Sequence, residues 1–311
     1  MMQLIWSKNI QPATYLKATR FSMLQKEFSP IVVDRCSIKE GDKVLDVGCG
    51  TGCFVKFLSE STSNVSYYGI ERDSNFIENA EKAKGNNSFK IQHGNAFELP
   101  YESGFFDAVV SHTFFNCVEF PKIAMKEMIR VAKEDAIIGS VTSVTNSLML
   151  HNKGKYPDEV KWIERLDELQ KEFIFCLESV GVGPISLNKG ICTEDMPYFF
   201  KESGLKDIST LPIAYSFSLS DSNIKYRDKK QYIEDLYKGE IERCLGVREL
   251  VGFQEKFNKS YLDEYMELLK KRYEFWINHL DDNSVWDWFS GISILVTGRK
   301  RKDEKDNGFT F

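Results

Sequence analysis

The chain has 311 residues, 42% of them hydrophobic and 28% charged, which is enough to bury a large core in one or two domains and rules out a disordered or collagen-like chain. Its net charge of -5 argues against broad nucleic-acid binding, which needs a positive surface to neutralise phosphates. Seven cysteines, odd in number and irregularly spaced, suit reduced thiols better than a disulfide framework. With no basic-then-apolar leader and no run of about 18 apolar residues, the expectation is a cytoplasmic protein without a membrane partner.

In chain order, residues 14–28 can form an amphipathic helix lying across the ligand side of a sheet. Residues 43–47 read as a buried strand ending in a glycine cluster, and Phe54, Phe57 and Leu58 then fall at helical spacing before a second strand at 65–70. The alternation continues with a helix at 74–84, strands at 89–92 and 106–111, a helix at 120–132 and a strand at 136–144. This order predicts an α/β, doubly wound, mostly parallel sheet.

After Val144 the pattern changes to long helical stretches, with Trp162, Ile163, Leu166, Leu169, Phe173 and Leu177 on one face and Leu262, Met266, Leu269, Tyr273, Trp276 and Leu280 on another. Between them Thr193 can cap a short helix that stops at Gly204, and 208–219 reads as a strand returning to the sheet. Residues 292–298 form a last strand, and 299–306 a solvated charged tail. The expected organisation is therefore an N-terminal helix plus core over 1–145, a helical cap region over 146–290 containing the returning strand, and a last strand with tail over 291–311.

The most informative run is Val44-Leu45-Asp46-Val47-Gly48-Cys49-Gly50-Thr51-Gly52-Cys53-Phe54. Glycines let the backbone turn sharply and let a ligand approach the main chain, while the following helix offers free N–H groups. A dinucleotide fingerprint wants glycine or alanine where Cys53 stands, which weakens a nicotinamide-dependent oxidoreductase reading, and no Lys-Ser or Lys-Thr pair follows to make a Walker-type phosphate cradle. Glu71 ends the second strand 19 residues after Gly52, close to the offset at which a carboxylate meets both ribose hydroxyls.

On these residues the chain resembles the class I S-adenosylmethionine-dependent methyltransferases that carry a Val-Leu-Asp-Val-Gly-Cys-Gly-Thr-Gly signature. The likeness covers 38–144 and adds 292–298, which looks like the antiparallel seventh strand of that fold. It implies a Rossmann-like seven-stranded sheet with a large helical cap, S-adenosylmethionine as cofactor, and methyl transfer as the activity. Gly48, Gly50 and Gly52 would shape the cofactor loop, Glu71 would take the ribose, and Asp46 would fix the loop or reach the cofactor's amino group. The run Gly94-Asn95-Ala96-Phe97-Glu98-Leu99-Pro100 is similar to the family's adenine loop, with Asn95 for the usual Asp, its amide oxygen still able to accept from the adenine amino group, and the Ala96 N–H meeting a ring nitrogen.

The fourth strand, 106–112, would end against the transferred methyl group, and Ser111 is counted with the cofactor-binding residues there. Catechol-type relatives carry a metal-binding Asp at that place and adenine- or glutamine-amino methylating ones an Asn-Pro-Pro-Tyr-like run; Ser111-His112-Thr113-Phe114 offers neither, so no metal is expected. Cys49 and Cys53 lack the partners a zinc site needs. His112 is the only histidine placed to act as a base, or else is structural, and Tyr15 can orient a substrate, or else merely packs over the site. Tyr198, Phe199, Phe200, Trp162 and Trp276 could enclose an acceptor. The resulting expectation is methyl transfer to a small molecule through an O, N, C or S nucleophile. The alternatives are a cofactor-binding regulatory or interaction protein without turnover, and a peptide or RNA methyltransferase.

Overall fold

The structure, a computed structural model, describes residues 5–83, 89–143, 150–152, 161–183, 189–250, 252–281 and 288–301. A helical turn at Trp6–Ile10 leads into α1 (Ala13–Met23) and α2 (Ser29–Arg35). The alternating part follows as β1 (Lys43–Val47), α3 (Cys53–Ser59), β2 (Ser66–Glu71), α4 (Ser74–Ala83), β3 (Phe89–His93), β4 (Phe106–His112), α5 (Pro121–Val131) and β5 (Ala132–Ser143). Beyond it come β6 (Leu150–Asn152), α6 (Trp162–Ser179), α7 (Met196–Glu202), β7 (Lys206–Ser218), α8 (Tyr226–Arg248), α9 (Phe253–Lys256), α10 (Lys259–Asn278) and β8 (Trp288–Arg299).

The sheet runs β3-β2-β1-β4-β5-β8, with β7 antiparallel on the far side of β8. These seven strands are the Rossmann-like, mostly parallel sheet that the motif implies, and the three-residue β6 adds a short eighth against the start of β8. The chain passes from β1 to β2 on one side and returns to β4 on the other, so a crevice opens beyond the carboxyl ends of β1 and β4. Both faces are covered. Leu45, Val47, Val109 and Ile138 pack on one face with Met125, Met128 and Phe200. Val44, Ala108, Val110 and Val141 pack on the other with Val32, Phe54, Phe57 and Leu58. Burial on both sides explains why these strands read as continuous apolar runs.

In the cap, α6, α8 and α10 share a core of Leu166, Leu169, Phe173, Val247, Leu262, Tyr265 and Leu269, with Ile10 inserted from the amino end. No helix among the described residues is long and apolar enough to cross a membrane.

Several expectations are corrected here. The helix expected over 14–28 stops at Met23, and a second begins at Ser29, because Pro30 suits the first turn of a new helix and lacks the N–H needed to continue an old one. Thr193 does not cap α7; its hydroxyl donates to the Ser143 carbonyl (2.7 Å), tying the helix start to β5. The expected tail begins inside β8: Arg299 faces Asp207 at 3.5 Å and Lys300 faces Glu134 at 3.6 Å, while 302–306 lie outside the described residues. Lys84, Val144 and the boundary at 145 and 146 lie outside them too. The 23-residue α8 carries polar residues on most of its circumference and shows no clean apolar stripe, yet it is held in place by α1 and α10. Gly239 makes that possible, because a Cβ there would run into the Tyr15 backbone.

Candidate active site

The turn after β1 is built from residues that only glycine suits. Gly48 and Gly50 have φ of +72° and +54°, in the left-handed region that a Cβ disfavours. A Cβ on Gly48 would also lie 2.6 Å from Phe114 Cδ2. The backbone N–H groups of Gly48 and Cys49 donate to the Ile70 carbonyl (2.9 and 3.1 Å), which ties the turn to the end of β2.

Glu71 closes β2 and organises the turn. One carboxylate oxygen accepts from the Gly50 N–H (3.0 Å) and the other from the N–H groups of Arg72 (2.8 Å) and Asp73 (2.9 Å). Burial raises its pKa, and these three bonds oppose the rise. Two oxygens offer about four acceptor positions, so one remains for a ligand donor.

Asp46 lies beside it on β1, fully buried, and neither carboxylate oxygen has a hydrogen-bond partner among the described residues. Burial, reinforced by the nearby Glu71 charge, pushes its pKa from 3.8 up to about 8. A carboxyl raised in this way takes up its proton more readily in the folded state, so its penalty is absent below pH 4 and grows as pH climbs toward 8. Ligand-free wild type is therefore expected to lose roughly 1 kcal/mol of unfolding free energy per pH unit across that window relative to Asp46→Asn. Denaturant unfolding at pH 5, 7 and 9 measures this, and parallel curves for the two proteins would refute it.

These residues line a cavity of about 370 Å³, within the usual range for ligand pockets. Asn95, Ala96 and Phe97 form another wall, with Asn95 Oδ1 accepting from the Phe97 N–H (3.0 Å). Arg130 of α5 pins that loop from behind by donating to the carbonyls of Leu99 (2.9 Å) and Tyr101 (2.7 Å). Trp6, Ile10, Leu16 and Phe76 cover the cavity from the amino-terminal segment and α4. That segment is latched by Ser7, whose N–H and hydroxyl both donate to the Asp73 carboxylate (2.9 and 2.8 Å).

At the end of β4, His112 lines the same cavity, stacked on Phe54 with centroids 5.3 Å apart. Burial, with the positive Arg20 nearby, holds its pKa well below the usual imidazole value, and Nε2 has no partner among the described residues. Thr113 follows with φ of +47°, a strained conformation for a β-branched residue that costs on the order of 1 kcal/mol or more. Its Oγ1 accepts from Arg20 Nη2 at 2.7 Å. Arg20, Thr113 and Cys117 all line the cavity and were not singled out from the sequence. The available signal was an arginine four residues after Leu16, where the helical stripe calls for an apolar side chain.

Three of the expected site residues sit elsewhere. Tyr15 faces away from this cavity into a second one of about 190 Å³ with Glu240, Arg272 and Trp276; α1 turns about 100° per residue, so Leu16 and Arg20 take the cofactor side and Tyr15 the cap side. Ser111 is fully buried, and its hydroxyl donates to Ser140 on β5 (3.1 Å), because strand alternation points His112 and Ser111 to opposite faces. Gly52 does not line the cavity; a Cβ there would lie 2.8 Å from Phe89, so its smallness serves packing against β3. The aromatic residues of α7 do not enclose the cavity either, since Phe199 and Phe200 pack against Phe115 and Tyr198 is exposed to solvent.

The strand order, the glycine turn and the acid at the end of β2 agree with the fold of the class I S-adenosylmethionine-dependent methyltransferases. Residues 38–176 match the family described as a methyltransferase domain. Demethylmenaquinone methyltransferase of Geobacillus stearothermophilus is 34% identical over 110 residues, covering 34% of this chain and 47% of that protein. The protein of the same name from Staphylococcus aureus (strain MRSA252) is 36% identical over 111 residues, covering 34% and 45%. The chain spans about half the length of the curated relatives it matches. Phosphoethanolamine N-methyltransferase 2 of Haemonchus contortus, solved in complex with S-adenosyl-L-methionine, shares the fold with TM-score 0.50 at 14% identity, over 96% of this chain and 59% of that one.

Proposed function

We propose that this chain transfers a methyl group from S-adenosylmethionine to a small-molecule acceptor held beside the end of β4, without a metal ion. One observation carries the reading: Asp46, Glu71 and the adenine-type loop line the same cavity as His112, Thr113 and Arg20. Coverage of that cavity by α1, α4 and the latched amino-terminal segment favours a small molecule over a polymer. The Ser111-His112-Thr113-Phe114 run places no carboxylate at the strand end to hold a metal there.

The residues present suit the cofactor. The buried carboxylate of Asp46, otherwise unsatisfied, would take the ammonium of its amino-acid end, and the remaining acceptor capacity of Glu71 would take a ribose hydroxyl. The left-handed turn at Gly48 and Gly50 brings its backbone to the cavity wall, and Asn95 with Ala96 would face the adenine. When bound, the cofactor supplies a sulfonium methyl group, whose transfer needs alignment and exclusion of water more than a charged catalyst. Phe54, Phe76 and Phe114 provide the dry wall. His112, neutral and with a free Nε2, can accept a hydrogen bond or proton from an acceptor O–H or N–H.

Calorimetry with S-adenosylhomocysteine, followed by a radiolabelled methyl-transfer assay on a metabolite panel, tests the proposal. Binding with turnover of a small acceptor is expected. Binding with no turnover would favour a regulatory or interaction protein, and turnover of peptide or RNA alone would replace the acceptor class.

A further inference from the structure

We propose that Arg20 and Thr113 form an anion subsite beside the end of β4, and that the methyl acceptor carries a carboxylate or phosphate held there. The acceptor's identity as the occupant rests on the methyltransferase reading above; the subsite itself rests on the charges and hydrogen bonds of the cavity.

Arg20 reaches into the cavity from α1, and no carboxylate pairs with it among the described residues. Its hydrogen bonds go to Thr113 Oγ1 (2.7 Å), the Thr19 hydroxyl (3.4 Å) and the Met23 sulfur (3.9 Å). The groups that sense its charge are Cys53, Cys117, Tyr15, Tyr215 and His112, all thiols, phenols or an imidazole. By contrast, Arg130 is paired with Glu127, Arg165 with Glu264 and the largely buried Arg272 with Glu240. A guanidinium has five N–H donors in a planar fork matched to carboxylate and phosphate, and the contacts made here leave donors over.

Thr113 orients that fork. Its left-handed backbone is tied down where its N–H donates to the Val141 carbonyl (2.8 Å), and the hydroxyl accepts from Arg20. Strain held in place by surrounding structure is common where a ligand contact needs it. Asp46, Glu71 and Asp73 stand with Arg72 at the ends of β1 and β2, where the cofactor's cationic groups would lie; the β4 end presents Arg20 beside a neutral histidine, with Glu119 and Lys189 also on the cavity wall. An anion at the β4 end would neutralise a cation that no carboxylate among the described residues pairs with.

The cofactor's own carboxylate is the rival source of the anion, and calorimetry at low ionic strength on the full chain separates the two. Arg20→Gln is expected to bind S-adenosylhomocysteine within about threefold of wild type, while inorganic phosphate and acetate binding to the S-adenosylhomocysteine-saturated protein falls at least about tenfold and Arg20→Lys keeps part of it. Circular dichroism establishes that both variants fold. The proposal is overturned if Arg20→Gln loses S-adenosylhomocysteine affinity by about tenfold or more but binds 5′-methylthioadenosine, which lacks the amino-acid end, as wild type does. It is equally overturned if saturated wild type binds neither phosphate nor acetate. Failure of wild type to bind S-adenosylhomocysteine at all would count against the methyltransferase reading instead, and the phosphate titration on ligand-free protein would still read the subsite.

Discussion

Glu71→Ala is expected to weaken S-adenosylhomocysteine binding at least about 100-fold, since hydrogen bonds to a charged acceptor contribute about 1.5–3 kcal/mol each and 1.4 kcal/mol is tenfold in affinity. The loss has two parts. A ribose hydroxyl loses its acceptor, and the N–H groups of Gly50, Arg72 and Asp73 lose the carboxylate that aligns the turn with the start of α4. Glu71→Gln separates these parts, because it keeps one acceptor oxygen while its amide N–H₂ faces backbone donors. An intermediate affinity is expected for it. Calorimetry on both variants, with circular dichroism to confirm folding, measures the effect; an alanine variant that binds within about threefold of wild type would remove Glu71 from the site.

Gly50→Val is expected to abolish detectable cofactor binding and to lower the melting temperature. At φ of +54° a β-branched residue costs roughly 1–2 kcal/mol or more in the backbone alone. Its Cβ would lie 3.1 Å from Leu16 Cδ2, so the branched methyl groups would press on the helix that roofs the cavity. Relief by rotating the turn would break the 3.0 Å bond from the Gly50 N–H to Glu71. Affinity equal to wild type would contradict the role assigned to this turn, and calorimetry beside thermal unfolding distinguishes a filled site from an unfolded one.

Much of this site was legible because its parts are local. The glycines, Asp46 and Glu71 stand at the ends of adjacent parallel strands, and βα geometry leaves little freedom in where such strand ends point. The misplaced residues needed one more piece of information. Ser111 and His112 are neighbours in the chain, but only the pairing of β4 with β5 shows that Ser111 is satisfied by Ser140. Tyr15 and Arg20 belong to one amphipathic helix, and the rotation of α1 about its axis, fixed by close approach to Gly239 of α8, decides which of them meets the cofactor cavity. α8 itself has too little apolar periodicity to announce that role.

By itself the sequence determined the doubly wound core, the turn after β1 and the acidic residue that faces it, because hydrophobic runs and glycine conformations act over a few residues and need no distant partner. Only the tertiary structure decided which polar groups share the cavity: Asp46 buried and, among the described residues, without a partner, His112 held neutral, and Arg20 brought across from the amino end to Thr113 with no described carboxylate paired to it. Those outcomes depend on burial and on charges far apart in the chain, so they exist only once α1, β4 and the cap have packed together.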